Sequence, residues 1–277
     1  MRVLHPGEAA RKLFRLRPLA GSVQRIAARS ELRTSLRDGG SRTLLPPTPG
    51  IQLILRADVT RIGPDGEAHY RFVFEQVDLL VQKGTPLRAI DVLREELAAL
   101  PGLSGEGRVA ADGRSTHFAL TLPPTLPAPL PQPLQEMTAA LSGLGTVLPP
   151  EPVGLGARWE ATSGGTGPTA RTPMVFTLKT LAADAIGVRL ALNEPGEAEA
   201  AAATAPVRTR TRGRGGCLLA FDRLWPTRLE LDVEAETHLP PDRTRSTGRA
   251  EGFTTARLRL RELSFTPPVI GARVIAG

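Results

Sequence analysis

"RLELDVEAETH", residues 228–238, places Leu229, Leu231, Val233 and Ala235 at every second position and fills the gaps with Arg228, Glu230, Asp232, Glu234 and Glu236. Successive side chains of a β-strand point to opposite faces, so this stretch has one apolar and one charged face and reads as a half-buried strand. A helix would scatter the same residues around its circumference. A strand of this kind belongs to an antiparallel sheet with one face on a core and the other in water.

The same period of two recurs along the chain. "IQLILRADVTRI" (51–62), the turn "GPDG" (63–66) and "EAHYRFVFEQV" (67–77) predict a β-hairpin that puts Tyr70, Phe72 and Phe74 on one face. A second hairpin is predicted to turn at Asp112-Gly113, and a third near 183–187, between "MVFTLKTL" and "IGVRLAL". In "ARLRLRELSF" the alternation runs through Leu258 and Leu260 and then changes phase to Leu263 and Phe265, which predicts a bulge around 261–262.

Two stretches carry helical spacing instead. "TPLRAIDVLREELAAL" offers Thr85 as N-cap, Pro86 at the first helical position, and Ile90, Leu93, Leu97 and Leu100 on one face before Pro101-Gly102 stops it. After the proline-rich "LPPTLPAPLPQP" (122–133), expected to run extended, Leu134, Met137, Leu141 and Leu144 form a second stripe. "VLPPEPVGLGARWEA" (147–161) then reads as a stiff extended crossing that enters a strand near Arg158, with Trp159 as a core anchor at its entrance. "TSGGTGPTA" (162–170) reads as a hairpin tip and 194–206 as a low-complexity loop.

These elements give the expected fold class: α+β, mainly antiparallel β, a large curved sheet or half-barrel of about ten or more strands, with two helices packed on its apolar face. A single β-rich domain spans 1–277, with residues 1–12 free to be flexible. In that arrangement Leu93, Leu97, Met137 and Leu141 of the helices meet Phe72, Phe74, Leu229 and Leu231 of the sheet, and the eight would line any ligand cavity between the layers.

Composition narrows the chemistry. The net charge is +7, but nearly all the cations are Arg, with Lys only at 12, 83 and 179, and Ala, Gly and Pro are abundant. This is the pattern of a GC-rich genome, and codon usage supplies Arg without selection for phosphate, so nucleic-acid binding ranks low. The single Cys217 and four scattered histidines give no metal-ligand spacing. No run approaches the ~20 apolar residues of a spanning helix, and the opening residues hold basic side chains but no hydrophobic region of an export signal.

The catalytic motifs each fail on a requirement. "GLSGEG" (102–107) has Glu106 where the second glycine of a nucleophile elbow belongs, so Ser104 reads as turn material. "SGGTGPT" lacks the lysine of a phosphate loop, and Glu95 and Glu96 point apart on a helix. The expectation is a protein that is not an enzyme and holds no cofactor and no metal. The strongest anomaly is "VRTRTRGRGG" (207–216), where Arg208, Arg210, Arg212 and Arg214 share one face. It reads either as an edge strand protected by like charge or as an anion-binding strip.

The hairpin "DVTRIGPDGEAHYRF" (58–72), the helix and turn 93–105, the junction "LPPEPVGLGARWE" (148–160) and the strand "GRGGCLLAFD" (213–222) together resemble an uncharacterised bacterial family of exported or lipid-anchored envelope proteins, a domain of unknown function. The parts are also similar, at the level of fold, to the half-barrel of bacterial lipoprotein carriers. The first resemblance implies a location in the cell envelope or periplasm, while the missing export signal leaves a cytoplasmic one open. The second implies a non-catalytic module that binds an apolar ligand, such as a lipid, between sheet and helices. The alternatives are a structural or protein-interaction module, with an envelope protein as partner, and third a binder of anionic surfaces or nucleic acid through the arginine strand.

Overall fold

In the computed structural model of the chain, which describes residues 1–38, 41–122, 145–162, 173–192, 208–238 and 251–263, every alternating stretch becomes a strand. In chain order the elements are β1 (Arg2–His5), β2 (Val23–Asp38), β3 (Ser41–Leu44), β4 (Gly50–Ile62), β5 (Ala68–Leu80), α1 (Leu87–Leu97), β6 (Ser104–Val109) and β7 (Ser115–Thr121). They continue with β8 (Arg158–Thr162), β9 (Pro173–Leu181), β10 (Ala185–Leu192), β11 (Arg208–Ala220), β12 (Arg228–His238) and β13 (Glu251–Glu262). All join one antiparallel sheet in the order β1-β8-β9-β10-β11-β12-β13-β2-β4-β5-β6-β7, with β3 paired to β2 beside this path.

The three predicted hairpins are β4–β5, β6–β7 and β9–β10, and their turns use the expected chemistry. Gly66 and Gly113 take φ of 82° and 83°, open to glycine but strained for other residues. Two pairings join strands far apart in the sequence: β13 runs beside β2 from Glu251↔Arg37 to Glu262↔Ile26, and β1 lies on β8.

The half-barrel with two helices is overturned. The sheet is open and not curled: β1 and β7 stand at opposite ends of the path and do not pair with each other. Among the described residues there is one helix, α1, set beside β5, and the second stripe with Met137 and Leu141 lies outside them. The apolar face is covered instead by extended coil. Residues 12–22 and 145–157 lie along it, bridged at Lys12–Val153, with Phe14 stacked on Phe221 at 5.6 Å and Leu16 N–H donating to the Ala111 carbonyl. Leu224 and Trp225, in the β11–β12 connection, complete the cover, and Trp225 meets the Tyr70 ring edge-on at 5.3 Å. A face filled in this way needs neither barrel closure nor a second helix to keep water out.

Smaller expectations are also corrected. Thr85 does not cap α1; its hydroxyl donates to the Gln82 carbonyl, and Pro86 holds the cap position without a side-chain bond. No bulge interrupts β13, whose register with β12 and β2 is unbroken to its end, so Glu262 and not Leu263 takes the buried side. Ser104 is not turn material but the first residue of β6. The glycines of that strand have a packing reason: a Cβ at Gly105 would lie 2.5 Å from the Phe72 ring and one at Gly107 2.3 Å from the Tyr70 ring. Removing two side chains lets two aromatic rings lie across the strand.

Candidate functional site

Continuous register turns the sheet into rows of side chains, and each row belongs to one face. On the inner face Cys217, Leu229, Leu260, Ala28, Leu53 and Val77 stand side by side across six strands. The first five are buried under the coil cover. One step further along the strands the row is Gly215, Leu231, Leu258, Ser30, Ile51 and Leu79, and beyond it Gly213, Val233, Ala256 and Leu32. Leu231, Val233, Ala235 and Ala256 are only half-buried there, and Leu32 is 38% exposed. The apolar face therefore outlasts its filling.

The eight residues expected to line a cavity divide along this gradient. Phe72, Phe74, Leu97 and Leu229 are buried in one core and Leu93 packs against it. Leu231 sits at the rim where burial falls off. Met137 and Leu141 lie outside the described residues. Val233, Ala256, Leu258 and Leu32 are the additions the structure makes. The first three were legible as alternation, whereas Leu32 is hidden among charged neighbours in "RSELRTSLRD" (29–38).

Beneath the inner face lies a closed polar network. Gln24 donates from Nε2 to the Trp225 carbonyl at 3.0 Å and accepts the Trp225 N–H on Oε1 at 3.1 Å. Arg223 Nε donates to Glu262 at 3.0 Å. Burial pushes the Glu262 carboxyl above the ordinary range, with Arg223 and Gln24 pulling it back in part. These groups answer one another and present nothing to a substrate. Burial likewise pushes the Cys217 thiol up to about 11, so it stays protonated and is no nucleophile. Tyr70 is held above the usual phenol range for the same reason. Among the described residues no group of three or more His, Cys, Asp or Glu is placed to hold a metal ion.

The outer face is a ladder of charges, and it changes the meaning of the arginine run. β11 lies inside the sheet path, with Gly213–Ala220 paired to β10, while the stretch Arg208–Arg212 pairs, among the described residues, with β12 alone. Arg210 stands opposite Glu236, Arg212 opposite Glu234 and Arg214 opposite Asp232, with Arg208 opposite His238. Three of the four arginines thus stand opposite a carboxylate of β12. The pattern extends outward, since Asp232 also receives Arg257 Nε at 2.6 Å. Arg37 and Arg42 flank the Phe253 ring at 5.1 and 5.3 Å on the same surface. Opposite charges across strands help to hold register.

No protein-family profile matches the chain, and no curated protein matches it in sequence. The fold is similar to part of lipovitellin, in a structure concerned with lipid–protein interactions, with a TM-score of 0.54 and 9% identity. The likeness covers 92% of this chain and 26% of that one, so this chain spans about a quarter of the lipovitellin chain. At this identity it is a likeness of fold.

Proposed function

We propose that this protein is a non-catalytic module that binds an apolar ligand, a lipid chain, on the half-exposed rows of its inner face, in the setting of the cell envelope that the sequence resemblance implies. The observation that carries the reading is the gradient along β12, β13 and β2: Leu229 and Leu260 are buried, while Leu231, Val233, Ala256 and Leu32 continue the same face with incomplete cover. Apolar surface left in water costs about 25 cal/mol per Å², so a ligand that covers these rows gains their burial. The likeness to a lipid-associated sheet supports the same direction. The buried polar groups of the Gln24, Arg223 and Glu262 network satisfy one another, which favours binding over chemistry.

Mass spectrometry of an organic extract of the purified protein is expected to show bound lipid. The V233E/L258E variant, which puts charge on the half-exposed rows, is expected to lose it while keeping the far-UV circular dichroism of the parent. An extract free of lipid, together with no uptake of a fluorescent fatty acid, would put a structural or protein-interaction role in its place.

A further inference from the structure

On the outer face the alternation of charge holds row by row until it nears the first residues of β12, and there it fails. Arg214, Asp232, Arg257 and Glu31 alternate in sign across four strands. In the next row Arg259 stands between Glu230 on one side and Arg29 on the other, and in the row after it Arg228 stands directly opposite Arg261. Directly opposed like charges on neighbouring strands repel at a Cα spacing of about 5 Å, so two such pairs in succession oppose the sheet they sit on. Arg228 reaches Glu230 at 2.8 Å and Arg29 reaches Glu31 at 2.6 Å, but among the described residues Arg259 and Arg261 have no ion pair or hydrogen-bonded partner. Ala27, the neighbour of Arg261 on β2, has too short a side chain to fill the space between them. The result is a shallow groove of about 360 Å³ whose lining includes Ala27, Arg29, Arg228, Glu230, Arg259 and Arg261.

We propose that Arg29, Arg228, Arg259 and Arg261 form a binding site for the phosphate group of an anionic lipid headgroup at a bilayer surface. Guanidiniums present paired N–H donors in a fork that matches two phosphate oxygens, and an anion between opposed arginines turns their repulsion into attraction. On the neighbouring strand Arg212 and Arg214 stand opposite Glu234 and Asp232, and among the described residues no arginine is set directly opposite them. The site lies on the face opposite the half-exposed apolar rows, so one lipid molecule cannot occupy both. It therefore docks the sheet on a membrane independently of any ligand held within.

Co-sedimentation with phosphatidylcholine vesicles, with and without phosphatidylglycerol, tests this in the full chain. Wild type is expected to bind only the anionic vesicles. R259S/R261S, which removes one arginine from each opposed pair, is expected to lose roughly tenfold or more in affinity, the worth of one or two charge-assisted hydrogen bonds. R212S/R214S removes the same charge outside the groove, at positions set opposite carboxylates, and is expected to lose about threefold or less. Displacement by soluble glycerol phosphate would place the source of the phosphate in solution and overturn the bilayer assignment. Equal weakening of the two variants would reduce the effect to net charge, and no binding to anionic vesicles would end the proposal. R259S/R261S should leave lipid in the organic extract unchanged, which separates this outcome from failure of the apolar site.

Discussion

Replacing Trp159 tests whether coil, and not a second layer of helices, holds the apolar face shut. The indole is fully buried, stacked on Phe176 with ring centroids 5.5 Å apart and planes 4° from parallel. Its Nε1–H donates to the Val147 carbonyl at 2.8 Å, which ties the strand β8 to the coil 145–157. Trp159→Phe keeps a ring for the stack but leaves the Val147 carbonyl buried without its donor, at a cost of about 1–3 kcal/mol. Trp159→Ala also removes the ring and opens a cavity, at about 3–5 kcal/mol or somewhat more once the aromatic pair is lost. Urea titrations followed by far-UV circular dichroism should show lower midpoints at an unchanged slope, in the order wild type, Phe, Ala. Limited proteolysis should find the coil 145–157 cut sooner in both variants. A Phe variant within a few tenths of a kcal/mol of wild type, with no new cleavage, would refute the idea that this hydrogen bond pins the cover.

Two further outcomes follow from the packing. Gly107→Ala drives a methyl into the Tyr70 ring and should destabilise by about 1–3 kcal/mol in the same titration; a neutral result would mean that β6 is free to move away from β5. Glu262 gives a pH dependence. Its native carboxyl keeps a proton to higher pH than the ordinary glutamate value of 4.5, so its stabilising contribution is complete below that value and is lost as pH rises through the raised native one. Melting temperatures of wild type should fall across that window, while Glu262→Gln should be flatter; identical profiles would show that another group is responsible.

The sequence by itself determined the strands and their local turns. Alternation in 228–238 and 51–77, with Pro-Asp-Gly and Asp-Gly turns, is read by neighbours a few residues apart, and such signals survive without knowledge of the fold. It also marked Trp159 as core and α1 as amphipathic, since Ile90, Leu97 and Leu100 are buried and Leu93 packs on the core. What it could not supply was the neighbour of each strand. Alternation assigns a residue to a face and says nothing about which strand lies alongside, so the closeness of β13 to β2 was invisible. With it went the opposed pairs Arg29–Arg259 and Arg228–Arg261. The arginine run shows the same limit. Both it and the acidic alternation of 230–236 were plain in the sequence, but only their antiparallel register put Arg212 against Glu234 and Arg214 against Asp232. The cover over the core was hidden for a related reason. Residues 12–22 and 145–157 have no periodicity to read, because extended coil buries side chains wherever the surfaces beside it leave room, and those surfaces exist only once the sheet has formed.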